Sequence, residues 1–235
     1  MIAVIINTCT VITGSITGLL CRKGISEKYK SAIMTALGIC TIFIGIQGSL
    51  KSENVLVTII SMVLGTAAGT FFDIDSKISS FGRWVEEKVT RKTKKKGDNT
   101  SIAQGMVTAY LLWCVGAMTI VGSIQAGVSG DYSTLITKSV LDLISSAMLA
   151  STLGAGVLLA SGLLFLTQGS LVLLAGVIAP VLNDSMINEI TCVGSLIIFA
   201  LGLNIVKITD IKVANFLPAV ILAPFICKLL SFLPF

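Results

Sequence analysis

Eight apolar runs divide the chain and constrain its fold more than any other feature of the sequence. Seven of them contain 17 to 23 residues, and the sixth contains 28. A helix of about 20 apolar residues crosses the hydrocarbon core of a bilayer and satisfies its own backbone hydrogen bonds. The pattern predicts an all-α protein, a polytopic transmembrane helix bundle of about eight spans. The runs are 2–20, 31–50, 55–72, 102–124, 134–153, 155–182, 190–206 and 213–233.

Composition agrees with this interpretation. Charged residues make up 12% of the chain and hydrophobic residues 54%, with a mean hydropathy of +0.95, whereas about a quarter of an average soluble protein is charged. We therefore expect one membrane domain with little room for a soluble one. The first run has no basic residue before it, and Arg22 and Lys23 follow it. We interpret it as a first span rather than a cleaved signal peptide.

Several kinds of chemistry are disfavoured by the residue types present. The chain contains no histidine, and its six cysteines show no C-x-x-C spacing. Histidine is the commonest metal ligand and the usual proton shuttle, so zinc chemistry and Ser/His or Cys/His nucleophilic catalysis are not expected. Free cysteine in an apolar run behaves as a small hydrophobe. We expect no enzyme activity, no metal and no cofactor.

A polar segment, residues 73–101, separates the third run from the fourth. Ile74, Ile78, Phe81 and Val85 recur at spacings of three or four residues, which predicts an amphipathic helix on the cytoplasmic membrane surface. The run 91–96 is too basic to pack and is interpreted as a cytoplasmic linker. Basic tracts beside a span usually determine topology near anionic lipid. The expected partner of these residues is therefore the lipid bilayer, not nucleic acid.

The distribution of lysine and arginine predicts the orientation of the chain, because cytoplasmic loops carry an excess of both. Basic residues within 22–30 and 77–96 place these two loops in the cytoplasm and the N-terminus outside. The loop 125–133 has no basic residue and falls outside, as this requires. If the sixth run crosses once, the loop 183–189 is outside and the loop 207–212 is inside. If it crosses twice, both loops change sides and the excess of lysine and arginine in cytoplasmic loops is lost. We prefer one crossing.

An internal repeat accompanies this topology. Residues 35–51 align with 191–207 at five identical positions, and the T-G-S of 13–15 and Q-G-S of 168–170 precede the two stretches at almost the same separation. With one crossing at the sixth run, the copies traverse the membrane in opposite directions, as in many secondary transporters. A chance match between two glycine-containing spans stays open. The predicted division is a first three-helix repeat (1–72), the amphipathic helix and linker (73–101), two central spans (102–154) and a second three-helix repeat that begins with a broken helix (155–235).

Four long stretches carry a resemblance to a known family over almost the whole chain. They read ALGICTIFIGIQGSLKSENVLVTIISMVLG, CVGAMTIVGSIQAGVSGDYSTLITKSVLD, LTQGSLVLLAGVIAPVLNDSMINE and VANFLPAVILAP. The sequence resembles the Domain of Unknown Function 554 family of bacterial membrane proteins. The resemblance implies a fold grouping, a bacterial inner-membrane location and a loose description as transporters, but no substrate.

The fifth run contains two opposite charges, Lys138 and Asp142. A charge near the bilayer centre costs about 2.5 to 3.5 kcal/mol on insertion scales, while an exposed i,i+4 ion pair returns a few tenths. At this spacing both side chains share one helix face, so we expect Asp142 to face the protein interior with a polar partner from another helix. Three interpretations stay open: a structural bridge between helices, a binding site for a solute or ion, and Lys138 reaching the outer surface while Asp142 pairs elsewhere.

Further polar residues in or beside the apolar runs are candidates for the same route. Each is more often a helix cap or an interhelical hydrogen bond than a ligand-binding group. A second carboxylate beside Asp142, with one ammonium between them, favours a cation or proton-coupled site over an anion pore. The candidates are Asn7, Gln168, Asn188, Glu189, Asn204 and Asn215.

These features predict an inner-membrane secondary transporter of a small solute or ion, with a polar site at Lys138 and Asp142. The alternative is a non-transporting scaffold or regulatory subunit whose buried charges hold helices together. A membrane-embedded enzyme comes third, because no acid and base pair is recognisable. Small residues in 116–122 and 65–69 permit close helix contact within one chain or in a homo-oligomer.

Overall fold

The structure is a computed structural model that describes residues 1–22, 27–78, 80, 102–114 and 117–231. Every regular element in these ranges is a helix, in agreement with the all-α prediction. The helices are α1 (Ile2–Cys21), α2 (Glu27–Ser49), α3 (Val55–Phe71), α4 (Ile102–Cys114), α5 (Ala117–Val128), α6 (Ser133–Leu153), α7 (Gly156–Leu173), α8 (Ala175–Ile178), α9 (Asp184–Ile205), a 3-10 helix (Val213–Phe216) and α10 (Leu217–Leu230).

The predicted membrane bundle is confirmed at this level. Six helical segments of the described ranges are long and apolar enough to cross a bilayer, and α4 with α5 makes a seventh if the pair is one span. The apolar helix α3 has 17 residues, which falls just short of the usual length. Counting α3, the helices correspond to the eight apolar runs of the sequence.

The breaks in the helices lie elsewhere than the polar sequence "TQGS" indicates. Helix α7 runs without interruption through Thr167 and Ser170, and the sixth run is interrupted only at Leu174, before α8. The hydroxyl of Ser170 donates to the carbonyl of Thr167 at 2.9 Å, so this polar centre is satisfied inside a helix. The strongest bend, 59°, separates α4 from α5 in the fourth run.

Four extensive interfaces build the bundle, joining α1 to α6, α2 to α9, α3 to α10 and α4 to α7. In each interface a glycine of one helix lies against the other helix, which lets two backbones approach closely. A continuous apolar core between α1, α4, α6 and α7 surrounds Trp113. The glycine contacts are Gly14 with Leu143, Gly45 with Phe199, Gly65 with Ala219 and Gly156 with Ile102.

The close packing of α2 on α9 predicts that a side chain at Gly45 destabilises the protein. A Cβ atom at this position would lie 2.6 Å from the backbone nitrogen of Phe199, so Gly45→Ala should lower the free energy of unfolding by about 1 to 3 kcal/mol. SDS titration of the purified protein measures this. The matched control is Gly162→Ala, where no neighbouring atom lies within 4 Å of an added Cβ and helix propensity improves by up to about 1 kcal/mol. Equal stabilities of the two variants would contradict the close packing.

The predicted amphipathic helix is described only at its start. Residues 74–78 are helical, and the side chain of Asn215 accepts a hydrogen bond from the backbone nitrogen of Asp75 at 2.9 Å. Ile78 packs against the core around Trp113. The rest of the predicted helix and its basic linker, apart from residue 80, lie outside the described residues.

Candidate solute-binding site

Lys138 and Asp142 form an ion pair in the interior of the bundle. They lie one turn apart on α6 and are 6% and 5% exposed, and the ammonium of Lys138 donates to Asp142 Oδ2. Asn7 of α1 donates to the same oxygen at 3.1 Å. The structure therefore confirms that Asp142 faces the interior and has a polar partner from another helix.

A third helix joins this cluster through Gln168 of α7. The Nδ2 atom of Asn7 donates to Gln168 Oε1 at 3.1 Å as well as to Asp142, and both amide side chains are fully buried. Asn7 Oδ1 and Gln168 Nε2 have no hydrogen-bond partner within the described ranges. Through Asn7 the amide pair shares Asp142 Oδ2 with Lys138 and links α1, α6 and α7.

The ion pair keeps hydrogen-bonding capacity of its own. Both bonds to Asp142 end on Oδ2, and Oδ1 accepts none from the residues that the structure describes. An ammonium has three N–H donors, and Lys138 uses one of them on Asp142. Within the described part of the chain, one carboxylate oxygen and two N–H groups of the pair therefore have no partner.

A cavity of about 530 Å³ opens beside the pair. It lies between the last turns of α2, the N-terminal half of α6, the middle of α9, the end of α4 and the start of α5. Its volume falls within the range of small-molecule sites, about 300 to 1,000 Å³. Its polar lining consists of Gln47, Lys51, Thr119, Lys138, Asp142, Ser145, Thr191 and Ser195.

The end of α4 and the start of α5 form one wall of the cavity. The hydroxyl of Thr119 donates to the carbonyl of Trp113 at 2.7 Å, which satisfies an acceptor near the end of α4. The indole nitrogen of Trp113 donates to the hydroxyl of Ser145 at 3.0 Å. These bonds hold the indole of Trp113 in the cavity wall, beside the turn of α6 that follows Asp142.

Most of the cavity wall is apolar, and its charges are few. Lys51 at the mouth and Lys138 inside contribute two positive charges, and Asp142 contributes one negative charge. The preference for a cation that the sequence indicated depended on Glu189 as a second carboxylate, and Glu189 does not line this cavity. The apolar wall includes Ile44, Leu112, Trp113, Met118, Leu141 and Ile198.

Glu189 instead anchors the loop between α2 and α3. Its side chain is fully buried, and Oε1 accepts hydrogen bonds from the backbone nitrogens of Glu53 and Asn54, each at 2.8 Å. Ser52 and Thr58 donate to the carboxylate from their hydroxyls. A carboxylate at the N-terminus of α3 also interacts favourably with the helix dipole. These contacts give Glu189 a structural role.

The remaining candidates also stabilise loops rather than the cavity. Asn188 donates to Glu53 at 2.7 Å, and this bond, with a second from Ser185, holds the pKa of the Glu53 carboxyl below its usual value. Asn204 accepts from the backbone nitrogen of Ile211 at 2.9 Å and fixes the turn after α9. The structure thus brings Lys138, Asp142, Gln168 and Asn7 together and does not bring Asn188, Glu189, Asn204 or Asn215 to them.

Several lining residues were missed from the sequence. Thr191, Ser195 and Ile198 recur at spacings of three or four residues on α9, as do Lys138, Asp142 and Ser145 on α6. Such a stripe was a detectable signal, but hydroxyl residues in membrane helices commonly bond to their own backbone. Only the tertiary pairing of α2 with α9 shows that these stripes face one space.

Comparison with known proteins places the chain among membrane proteins. The family described as "Protein of unknown function (DUF554)" matches residues 2–228. The chain is 34% identical over 228 residues to "Uncharacterized membrane protein YdfK" of Bacillus subtilis, covering 95% of this chain and 94% of that protein. It is 29% identical over 218 residues to "Uncharacterized protein YqgA" of Escherichia coli, covering 93% and 92%. No solved structure matches.

Proposed function

The chain belongs to the DUF554 family, and we propose that it is an inner-membrane secondary transporter of a small organic solute with an anionic group, such as a carboxylate. The observation that carries the proposal is the cavity of about 530 Å³ that ends on the Lys138 and Asp142 pair. At the cavity wall, Lys138 has two N–H groups that no described residue accepts from. We propose that a solute binds there without chemical conversion.

The lining of the cavity supports an organic solute over a bare ion. A dehydrated inorganic ion needs polar ligands on all sides to replace its water shell, whereas apolar side chains form most of this wall. The positive excess from Lys51 and Lys138 favours a negatively charged group. Ile44, Met118 and Leu141 of the lining offer exposed surface for the apolar part of the same molecule. This combination fits a small amphipathic anion or a zwitterion.

The helix pairing supports the inverted repeat. If α1, α2 and α3 correspond to α7, α9 and α10, then α2 packs on its own equivalent and so does α3. The same symmetry exchanges the two central spans, so that α6 corresponds to α4 with α5. The contact of α1 with α6 then corresponds to the contact of α7 with α4 and α5, and both contacts are present in the bundle. Inverted repeats commonly enclose substrate sites at their interface. With the N-terminus outside, the mouth of the cavity opens to the outer face.

Thermal denaturation of the purified protein tests the proposal. We expect benzoate or alanine to raise the melting temperature, because a ligand that binds only the folded state stabilises it. Benzamide, which has the shape of benzoate without its charge, should have little effect. High salt should weaken the response to benzoate, since screening reduces the attraction between solute and lysine.

Lys51 offers a variant that leaves the buried pair intact. It is exposed and lies at the mouth of the cavity, so Lys51→Gln should weaken the benzoate response without reducing stability. The matched control is Lys228→Gln, which removes an exposed lysine near the end of α10. The proposal fails if no such solute raises the melting temperature, or if benzamide acts as strongly as benzoate. A scaffold or regulatory subunit would then be the better interpretation.

A further inference from the structure

A second cavity, of about 300 Å³, lies at the opposite ends of α4 and α9. The start of α4, the end of α9 and the turn that follows α9 enclose it. Thr108 lines this cavity, is 1% exposed, and its hydroxyl has no hydrogen-bond partner among the described residues. A buried hydroxyl without a partner costs free energy unless water or a ligand satisfies it. Further polar residues of the lining are Asp75, Gln104, Asn204, Asp210 and Lys212.

The two cavities follow one another along the same two helices. On α9, Ile198 lines the first cavity and Leu201 lines the second, and three residues of helix rise amount to about 4.5 Å. On α4, Leu112 lines the first cavity and Thr108 the second, a rise of about 6 Å. The wall between the cavities is therefore about one helical turn thick.

Three apolar side chains of one cluster pack near this interval. Leu111 and Ile197 are fully buried, Leu201 is almost so, and all three belong to one hydrophobic cluster between α4 and α9. Leu111 and Ile197 line neither cavity. We name these three side chains the apolar barrier. A hydrophobic constriction of this kind excludes water and ions while it is closed.

We propose that the second cavity is the inner compartment of the solute route and that the apolar barrier is its closed gate. This proposal depends on the proposed function, because it assigns the far end of the path to the same solute. The repeat supports it: aligning 35–51 with 191–207 places Gly48, beside the first cavity, at the position of Asn204, beside the second. The two cavities then occupy related places at opposite membrane faces.

The two cavities differ in the sign of their excess charge. Lys51 and Lys138 outnumber Asp142 in the first cavity, whereas Asp75 and Asp210 outnumber Lys212 in the second. An anionic group binds more tightly beside the positive excess and is released more readily beside the negative excess. The outer cavity acts as the capture site, and the inner cavity acts as the release site.

Cysteine accessibility tests the gate without knowledge of the natural solute. In a background with the six native cysteines replaced, Ser145→Cys reports on the outer cavity and Thr108→Cys on the inner one. We expect a membrane-impermeant maleimide added to whole cells to label Ser145→Cys and to spare Thr108→Cys. In inside-out vesicles it should label Thr108→Cys.

Shortening the barrier should connect the two cavities. Leu111→Ala or Ile197→Ala should raise the labelling of Thr108→Cys from outside by roughly tenfold, equivalent to a population shift of about 1.4 kcal/mol. Leu164→Ala is the matched control, because Leu164 is equally buried in a different cluster. If the alanine variants do not yield a monodisperse protein, the smaller change Ile197→Val is used for the same labelling experiment.

The results distinguish a failure of the proposed gate from a failure of the proposed outer site. The gate is overturned if labelling of Thr108→Cys stays unchanged in both barrier variants, or if Leu164→Ala raises it equally. Labelling of Thr108→Cys from neither side would overturn the inner compartment. Protection of Ser145→Cys by benzoate examines the outer site alone, so a failed gate with successful protection leaves the proposed function standing.

Discussion

Lys138→Gln is expected to lower the free energy of unfolding by about 3 kcal/mol, because it leaves the carboxylate of Asp142 buried without its counter-charge. Asn7 would still donate to Asp142 Oδ2, but no positive charge would remain beside the carboxylate. The effect should lie near the lower end of the range for broken buried pairs, since both side chains also line the cavity. Equilibrium unfolding in SDS measures the change relative to the unmodified protein.

The double variant Lys138→Gln/Asp142→Asn separates stability from function. Removing both charges eliminates the unpaired carboxylate, so we expect most of the lost stability to return. The response of the melting temperature to benzoate should nevertheless disappear, because the ammonium that attracts the anion is gone. A double variant that recovers both stability and the benzoate response would show that the pair only joins helices. A double variant as unstable as Lys138→Gln would contradict the unpaired-charge explanation.

The spans and the central ion pair could be predicted because their physical causes are local in sequence. A run of about 20 apolar residues identifies a span wherever it lies, and four-residue spacing places Lys138 and Asp142 on one helix face. The cost of a charge in lipid then requires both side chains to face the interior. None of these steps needs knowledge of which helices are neighbours.

The cavity itself could not be predicted, because its walls come from five helices that are distant in the sequence. Thr191 and Ser195 become cavity residues only when α9 packs on α2, and Trp113 only through the bend after α4. The repeat alignment indicated that 35–51 and 191–207 are related, but not that these segments are in contact. Pairing between helices is a tertiary property that periodicity does not specify.

The sixth run is broken, as the sequence predicted, but at Leu174 rather than within the polar TQGS. The polar "TQGS" at the centre of the sixth run indicated a broken helix, yet Gln168 finds Asn7 as a partner and α7 stays continuous. The fourth run bends by 59° although it contains no proline. Polarity in a helix predicts a break only when no neighbouring side chain satisfies it, and the neighbour here comes from α1.

For Glu189, the sequence predicted a place in the polar route, whereas the structure places it against a loop. A buried carboxylate in a membrane protein is a functional-site hypothesis by default, and its place at the start of the seventh run agreed with a polar route. The structure instead surrounds it with donors from the loop after α2, which begins at the end of that helix. The residues that satisfy Glu189 lie more than 130 positions away in the chain, so no local pattern connected them.

Glu189→Leu should have the largest effect on stability of any single change considered for this protein. It removes the acceptor of the Glu53 and Asn54 backbone nitrogens and of the Ser52 and Thr58 hydroxyls. Thr58 is a buried donor and the other three are partly buried. Because a buried donor left without a partner costs about 1 to 3 kcal/mol, we expect a total loss of about 3 to 5 kcal/mol. Hydrogen exchange should accelerate at the amides of Glu53 and Asn54, which lose their acceptor.

Glu189→Gln and Asn188→Ala provide graded controls. Glutamine keeps one carbonyl oxygen for the two backbone donors, so the loss should fall to about 1 to 2 kcal/mol. Asn188→Ala removes one exposed hydrogen bond to Glu53, and surface changes of this kind usually stay within about 0.5 kcal/mol. Folded Glu189→Gln protein should keep the full benzoate response, because Glu189 contacts the loop and not the cavity. If Glu189→Gln lost the benzoate response and kept its stability, Glu189 would have to belong to the solute route.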